Sequence, residues 1–302
     1  MNSVQAITEK QIAGRWETIR AYIALTKPTI VTSFTLTGAT ALVMEKSLLV
    51  QPGQFFLVLL AILLTGAGAN GLNQYFERDL DALMERTRKK RPLPLSKMAP
   101  KNALIFSLLM GVASVLILAL WVNFLSAAYA LGTILFYSFF YTLWLKPRTP
   151  YNIVIGGAAG ATAPIIAWAA ASGSISWTAW SLFLIIFMWT PPHFWALALC
   201  VKEQYAKVGL PMLPVVKGDE RTRSEIWWYS LALVPLTFLP VLLKSSGWIY
   251  FWGALLLGLF FILQAWKVKT LKTEKAAYAL FGYSIVYLML LFIFLMVDSL
   301  YG

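Results

Sequence analysis

The chain has 302 residues, of which 59% are apolar and only 13% charged, and its mean hydropathy is +0.70. Because an ordinary soluble domain carries about a quarter charged residues, this composition excludes a soluble globular enzyme. The apolar residues suffice for roughly nine membrane-spanning helices of about 20 residues. Stretches such as 55–69 are apolar on all sides rather than alternating, which excludes a membrane β-barrel. The sequence therefore predicts an all-α, polytopic membrane protein.

Nine apolar segments, each bounded by charges or turn residues, are predicted to span the membrane and to enclose a central cavity within a single domain, residues 1–302. Two long connections, 77–102 and 200–225, are separated by four of these segments. That spacing predicts a pseudo-repeat of spans one to four and five to eight. The predicted spans are 28–47, 55–76, 103–121, 125–144, 152–171, 177–199, 226–244, 248–266 and 277–297.

The 25 basic and 13 acidic residues give a net charge of +12. If the N-terminus is cytoplasmic, every basic residue except Lys46 and Lys244 lies in a cytoplasmic segment, as the positive-inside rule requires. The same rule explains the net charge through the lipid bilayer, without nucleic acid. No cleavable signal is recognised before Tyr22, so we expect a multi-pass protein of a bacterial plasma membrane with an inside N-terminus.

Cys200 is the one cysteine, which excludes an intrachain disulfide and a cysteine-built metal site. Oxygen ligands for a metal are grouped where the second predicted span ends. Asn70, Asn73, Glu77 and Asp81 are spaced 3, 4 and 4 residues apart, so a continuing helix would place them on one face. Two carboxylates one turn apart need a cation or a basic partner. Carboxylate and amide oxygens suit Mg²⁺, which bridges to substrate phosphate.

A basic run, 86–91, follows these acids directly. One interpretation is a solvated helix end whose acids pair with Arg78, Arg86 and Arg88. The other is a site for an oligophosphate, because guanidinium groups and a carboxylate-bound metal together neutralise a leaving diphosphate. The density of positive charge favours the second interpretation, which is diphosphate ionisation at a membrane.

The pattern Asn73-x3-Glu77-x3-Asp81 resembles the Asn-x3-Asp-x3-Asp signature of the intramembrane aromatic prenyltransferase superfamily. Longer strings resemble its protohaem IX farnesyltransferase branch. The resemblance implies Mg²⁺-dependent transfer of farnesyl from farnesyl diphosphate to a haem b vinyl group, with addition of water, giving haem O and diphosphate. It also implies a downstream haem A synthase as a partner. The matching strings are 25–28, 73–94, 152–160, 189–195 and 209–218.

The resemblance implies that Asn73, Glu77 and Asp81 are catalytic metal ligands. Glu203 is expected either to hold a further metal ion or only to pair with Lys207, and Gln204 stands beside it where a second acid is expected. Several polar residues are expected to bind diphosphate or haem propionates, although anchoring at the inner face is an equal alternative for those near residue 150. The expected substrate-binding residues are Lys27, Asn70, Arg86, Arg91, Lys146, Arg148, Asn152, Lys202 and Lys207.

His193 is the only histidine and lies in the string 189–195, next to two prolines that are expected to kink the sixth span. Its imidazole could ligate haem iron, act as a base on the added water, or bond a freed carbonyl. The resemblance favours a catalytic, haem-facing histidine and leaves ligand and base open. One rival function is prenylation of a quinone precursor or chlorophyllide. The other is transport, and the paired carboxylates Glu77 and Asp81 argue against it.

Overall fold

The computed structural model describes residues 3–301, with side chains from Gly14 onward, and every regular element in that range is helical. Segments 124–145, 152–172 and 218–242 each form one candidate span from two consecutive helical pieces. The helices are α1 Ser3–Leu25, α2 Pro28–Glu45, α3 Pro52–Phe76, α4 Arg78–Leu83, α5 Glu85–Arg88, α6 Pro100–Trp121, α7 Phe124–Leu135 with a π-helical continuation Phe136–Leu145, α8 Asn152–Gly160, α9 Ala163–Ser172, α10 Trp177–Cys200, α11 Lys202–Lys207, α12 Leu213–Val216, α13 Gly218–Leu236, α14 Leu239–Leu242, α15 Trp248–Leu271 and α16 Glu274–Tyr301; a short 3₁₀ turn covers Ser47–Val50.

Eight helical segments among the described residues are long and apolar enough to cross a bilayer, so the chain is a multi-pass membrane protein. They run from α3 to α16. The remaining predicted span, 28–47, corresponds to α2, which has only 18 residues, five of them threonine, and ends at Glu45. Its composition is less apolar than that of the others, so the predicted count of nine is not confirmed.

The helices form a closed bundle in which chain neighbours pack side by side. Helix α3 packs against α6, α6 against α7, α10 against α13, α13 against α15 and α15 against α16. Helix α16 returns to α2, which also packs against α3 and α9. The second half of α2 is buried by these neighbours, so it is an integral part of the bundle. Exposed leucine and phenylalanine side chains cover the outside, as a lipid-facing surface requires.

Small residues let α3 and α6 approach closely. A Cβ atom added at Gly68 would lie 2.8 Å from the backbone nitrogen of Gly111. In the same interface, the hydroxyl oxygens of Thr65 and Ser114 are 2.6 Å apart. Close packing of this kind is typical of membrane helices, in which backbones meet where side chains are small. It holds the C-terminal half of α3 against α6.

The π-helical continuation of α7 changes which side chains point towards α3. The backbone N–H of Lys146 donates to the carbonyl of Tyr141, five residues earlier, at 2.9 Å. The wider turn places Thr142 and Lys146 against α3, as described below. Pro191 and Pro192 lie inside α10, which continues as one helix through both of them.

Candidate active site

The C-terminal end of α3 carries the polar face that the sequence spacing predicts. Helical geometry changes at Glu77, yet the i to i−4 hydrogen bonds continue: the N–H of Glu77 donates to the carbonyl of Asn73 at 2.9 Å, and that of Asp81 to Glu77 at 2.8 Å. All three side chains are buried, with Glu77 5% and Asp81 3% exposed. The prediction of one common face is therefore confirmed.

Three basic side chains from distant parts of the chain converge on this face. The Lys146 ammonium, at the end of the π-helical segment, pairs with Glu77. The Arg91 guanidinium contacts Asp81 and lies 3.5 Å from Oε2 of Glu77. Lys27, between α1 and α2, donates from Nζ to Oδ1 of Asn73 at 2.7 Å. Two carboxylates one helical turn apart need a metal cation or a basic partner. Here each carboxylate has a basic partner.

The cluster is electrostatically unbalanced. It holds two carboxylates, Glu77 and Asp81, and three cations, Lys27, Arg91 and Lys146, so it has a formal excess of one positive charge. Burial by itself raises the pKa of Glu77, but attraction by Lys146, Arg91 and Lys27 outweighs burial and lowers the pKa from 4.5 to about 2. Burial, and then repulsion by Arg91, lowers the pKa of Lys27 well below its usual range. A further anion would relieve this excess.

Asn73 is held at both ends of its amide group. Its Oδ1 accepts from Lys27, and its Nδ2 donates to Oγ1 of Thr142 at 3.0 Å. Thr142 in turn donates to the carbonyl of Tyr137 at 2.7 Å. Sequence reasoning missed Thr142, because only the π-helical register turns a threonine of this apolar span towards α3.

The two long connections meet through Gln204. Its Oε1 accepts a hydrogen bond from the backbone N–H of Arg86 at 3.0 Å, while the neighbouring Glu203 is exposed. Nε of Arg86 is buried and has no partner within the described residues. No group of three or more acidic, histidine or cysteine side chains in the described part of the chain is close enough to hold a metal. The structure therefore does not bring Glu203 into one cluster with Glu77 and Asp81.

The other expected substrate-binding residues have separate partners. The Arg148 guanidinium is exposed and donates to the carbonyl of Trp144 at 2.7 Å. Lys202 pairs with Asp219 at 2.8 Å, and Lys207 is exposed. Asn70 and Asn152 are both buried. Asn70 lies one turn before Asn73 on α3. Asn152 is the first residue of α8, and its side chain donates to the carbonyl of Thr149 at 2.6 Å.

His193 lies inside the bundle, on α10. Its ring stacks between Trp189, with centroids 4.2 Å apart, and Phe281, at 4.7 Å. Its Nδ1 is 2.6 Å from Oγ of Ser284 on α16. The partner of the imidazole is therefore a hydroxyl on another helix, and not a carbonyl freed by the prolines.

Comparison with known proteins gives a consistent result at the level of the whole chain. Residues 31–295 match the model of the UbiA prenyltransferase family. The chain is 46% identical over 287 residues to the protoheme IX farnesyltransferase of Picosynechococcus sp., covering 94% of this chain and 90% of that protein. It is 45% identical over 289 residues to the protein of the same name from Novosphingobium aromaticivorans, with 93% of each chain covered.

Solved structures with the same fold are more distant in sequence. A digeranylgeranylglyceryl phosphate synthase superposes with a TM-score of 0.76 at 18% identity, covering 94% of this chain and 99% of that one. A UbiA homologue from Archaeoglobus fulgidus, bound to DMAPP and Mg²⁺, superposes with a TM-score of 0.64 at 17% identity, covering 90% and 99%. The sequence and fold comparisons agree, and the chain belongs to the UbiA prenyltransferase family.

Proposed function

We propose that the protein transfers a farnesyl group from farnesyl diphosphate to a vinyl group of haem b, with addition of water, giving haem O and diphosphate. The observation that carries prenyl transfer is the buried cluster of Glu77 and Asp81 with Lys27, Arg91 and Lys146. The observation that supports haem as the acceptor is the near full-length similarity to proteins named protoheme IX farnesyltransferase.

The cluster suits a diphosphate for electrostatic reasons. Lys27, Arg91 and Lys146 are three partly buried basic groups around two buried carboxylates, where their attraction to a phosphate is less screened than at a surface. Arg86, with its Nε lacking a partner in the described residues, lies on the neighbouring short helix and is a further candidate for phosphate binding. Lys202, Lys207 and Arg148 would act at longer range, by keeping the inner face positive.

The donor set also fits Mg²⁺. Oδ1 of Asp81 has no hydrogen-bond partner in the described part of the chain, and Oε2 of Glu77 has only the 3.5 Å contact with Arg91. These oxygens, with the amide oxygen of Asn73 and Glu203 as a further candidate, are hard ligands of the kind that Mg²⁺ takes. Bound there, Mg²⁺ would supply positive charge to the leaving diphosphate. The homologue from A. fulgidus that binds DMAPP with Mg²⁺ supports this assignment.

The chemistry then divides between the two ends of the site. The carbon–oxygen bond of farnesyl diphosphate breaks, and its electron pair leaves with diphosphate towards Lys27, Arg91 and Lys146. The farnesyl cation forms a bond to the terminal vinyl carbon of haem b, and water adds to the adjacent carbon with loss of a proton. His193, on α10 within the bundle, is the candidate base for that proton or a ligand for the haem iron.

The positive-inside pattern further supports a nine-span arrangement in the bacterial plasma membrane, with α2 as the first span and the site at the cytoplasmic face. A haem A synthase would be the enzyme that takes up the product. This arrangement makes the diphosphate substrate accessible from the cytoplasm while the farnesyl chain stays in lipid.

The test is turnover by the purified, full-length protein in lipid nanodiscs. Haem b, farnesyl diphosphate and Mg²⁺ are supplied, and the extracted haem is analysed by mass spectrometry. We expect haem carrying one hydroxyethylfarnesyl group, and loss of that product when Mg²⁺ is removed by a chelator. Parallel reactions with a quinone precursor and with chlorophyllide test the rival acceptors.

Three results would contradict the proposal. Prenylation of the quinone precursor or chlorophyllide but not of haem would reassign the acceptor. Full activity in excess chelator would remove Mg²⁺ from the site. Absence of every prenylated product, with farnesyl diphosphate left intact by a folded protein, would favour a transport function.

A further inference from the structure

Ser284 of α16 lies beside His193 and has no role in the proposed reaction as described above. The residue is completely buried, and its side chain lies between the imidazole of His193 and the backbone carbonyl of Phe281. Its Oγ is 2.6 Å from Nδ1 of His193 and 2.6 Å from the carbonyl oxygen of Phe281, one turn earlier on the same helix. Its own carbonyl accepts from Nε1 of Trp189 at 2.7 Å.

A serine hydroxyl has one hydrogen and two acceptor lone pairs. Two oxygen atoms 2.6 Å apart repel unless a hydrogen lies between them, so the hydroxyl of Ser284 donates to the carbonyl of Phe281. The same hydroxyl can then only accept from His193, whose Nδ1 must carry the proton. In a neutral imidazole the other nitrogen, Nε2, is left as an acceptor. No hydrogen bond to Nε2 is present within residues 14–301.

The ring is also fixed in orientation. Trp189 and Phe281 stack on its two sides, and the indole of Trp189 is tied to the backbone of Ser284. The hydroxyl of Ser284 therefore sets the tautomer of a ring whose orientation is already fixed by stacking. In metal and catalytic sites, the hydrogen bond at one ring nitrogen is what decides the role of the other.

We propose that Ser284 is a positioning residue that holds His193 as the Nδ1–H tautomer, so that Nε2 presents a free lone pair to the acceptor substrate. This inference rests on the proposed function for its consequence, because a lone pair on Nε2 is what either ligation of haem iron or proton removal from water requires. The tautomer itself is a property of the protein without substrate. Its measurement is therefore independent of whether haem is the acceptor.

The sequence allows a direct experiment, since His193 is the only histidine of the 302 residues. The full-length protein, purified in nanodiscs on a histidine-free tag and labelled with ¹⁵N at both ring nitrogens of histidine, gives a single pair of imidazole signals. We expect at neutral pH a protonated Nδ1 and an unprotonated Nε2. In Ser284→Ala we expect the Nε2–H tautomer to appear, because the acceptor at Nδ1 is gone.

Two further variants separate positioning from packing. Ser284→Thr keeps a hydroxyl, so we expect the wild-type tautomer to be retained. Ser230→Ala is the matched control: Ser230 is equally buried, and its hydroxyl likewise donates to the carbonyl one turn earlier, Ile226, at 2.6 Å, without touching the imidazole. We expect that control to leave both ¹⁵N signals unchanged.

The proposal also predicts a loss of turnover in Ser284→Ala, of up to the roughly 100-fold that a positioned base contributes, with the KM for farnesyl diphosphate unchanged. A wild-type spectrum showing Nε2–H would overturn the proposal, even if the protein makes haem O. An Nδ1–H tautomer that persists in a folded Ser284→Ala variant would also overturn it. If the tautomer behaves as expected but haem is not prenylated, the proposed function fails and the role of Ser284 stands.

Discussion

At the scale of single residues, the site depends on two carboxylates that are buried among cations. We predict that Glu77→Ala and Asp81→Ala each lower turnover at least about 100-fold, because each removes a charge that would hold the metal opposite the leaving group. Turnover is measured as haem O formed by protein whose folding is checked by size-exclusion chromatography. Glu77→Asp is expected to be milder, since the charge survives.

Asp79→Ala is the matched control for these variants. Asp79 lies in the same helix as Asp81, but its side chain is 87% exposed. Its carboxylate forms one ion pair among the described residues, with the guanidinium of Arg78 at 3.7 Å. We expect its loss to leave turnover within about twofold of wild type, as for an exposed ion pair. An equal loss of activity in Asp79→Ala and Asp81→Ala would contradict the assignment of the buried face as the site.

The pKa of Glu77 makes a second prediction at this scale. Because that pKa is about 2 in the folded protein and ordinarily 4.5, the ionised carboxylate stabilises the fold above pH 4.5, and this contribution is lost as the pH falls towards 2. With a chelator present, we expect Glu77→Gln to have a lower Tm than wild type at pH 6 and a smaller deficit at pH 3. The Tm is read from intrinsic tryptophan fluorescence.

Glu85→Gln provides the comparison, since Glu85 is exposed and pairs with Lys89 on the surface of α5. We expect no measurable change in Tm at either pH for this variant. A Tm deficit of Glu77→Gln that is equal at pH 6 and pH 3 would mean that ionised Glu77 does not contribute to stability through Lys146 and Arg91.

At the scale of helices, the site depends on how closely α3 approaches α6. We predict that Gly68→Ala destabilises the protein by about 1–3 kcal/mol, because its new Cβ would lie 2.8 Å from the backbone of Gly111 and cannot be relieved by a side-chain rotation. Thermal unfolding in one detergent measures the change. Gly132→Ala is the control, since nothing lies within 4 Å of a Cβ there and alanine is the better helix former.

If Gly68→Ala and Gly132→Ala have the same Tm, the close approach of the two helices is not what limits residue size at Gly68.

The helix type explains why the sequence analysis missed Thr142. In a regular α-helix, the apolar periodicity of segment 125–144 gives no reason to turn one threonine towards Asn73, whereas the five-residue hydrogen bonds of the π-helical segment do.

At the scale of the whole molecule, the number of spans decides where the two long connections lie. In a Cys200→Ser background, we predict that cysteines replacing Lys90 and Lys217 react with an impermeant thiol reagent only from the cytoplasmic side. A cysteine replacing Lys46 is predicted to react only from outside, because in the nine-span arrangement α2 crosses the membrane as the first span. All three positions are exposed.

Each labelling pattern has a definite meaning. Labelling of all three positions from the cytoplasmic side would show that α2 does not cross the membrane, leaving the eight segments that length and composition support. Labelling of Lys90→Cys and Lys217→Cys from opposite sides would separate the two connections, in conflict with the hydrogen bond between Gln204 and Arg86.

The sequence by itself determined the helical membrane class, the approximate spans and the common face of Asn73, Glu77 and Asp81. These features follow from local rules: runs of apolar residues long enough for a bilayer, and side chains that repeat every three or four positions. The family resemblance was equally available, because the strings that carry it are contiguous in the chain. None of these inferences needed to know which helices are neighbours.

Only the tertiary structure decided which cations meet those carboxylates. Lys27, Arg91 and Lys146 come from three separate connections, and Arg148, only two residues from Lys146, turns instead to the carbonyl of Trp144. The partner of His193 was hidden for the same reason, since Ser284 is 91 residues away on α16. Contacts of this kind depend on helix packing and on one π-helical turn, and neither has a period that can be read along the sequence.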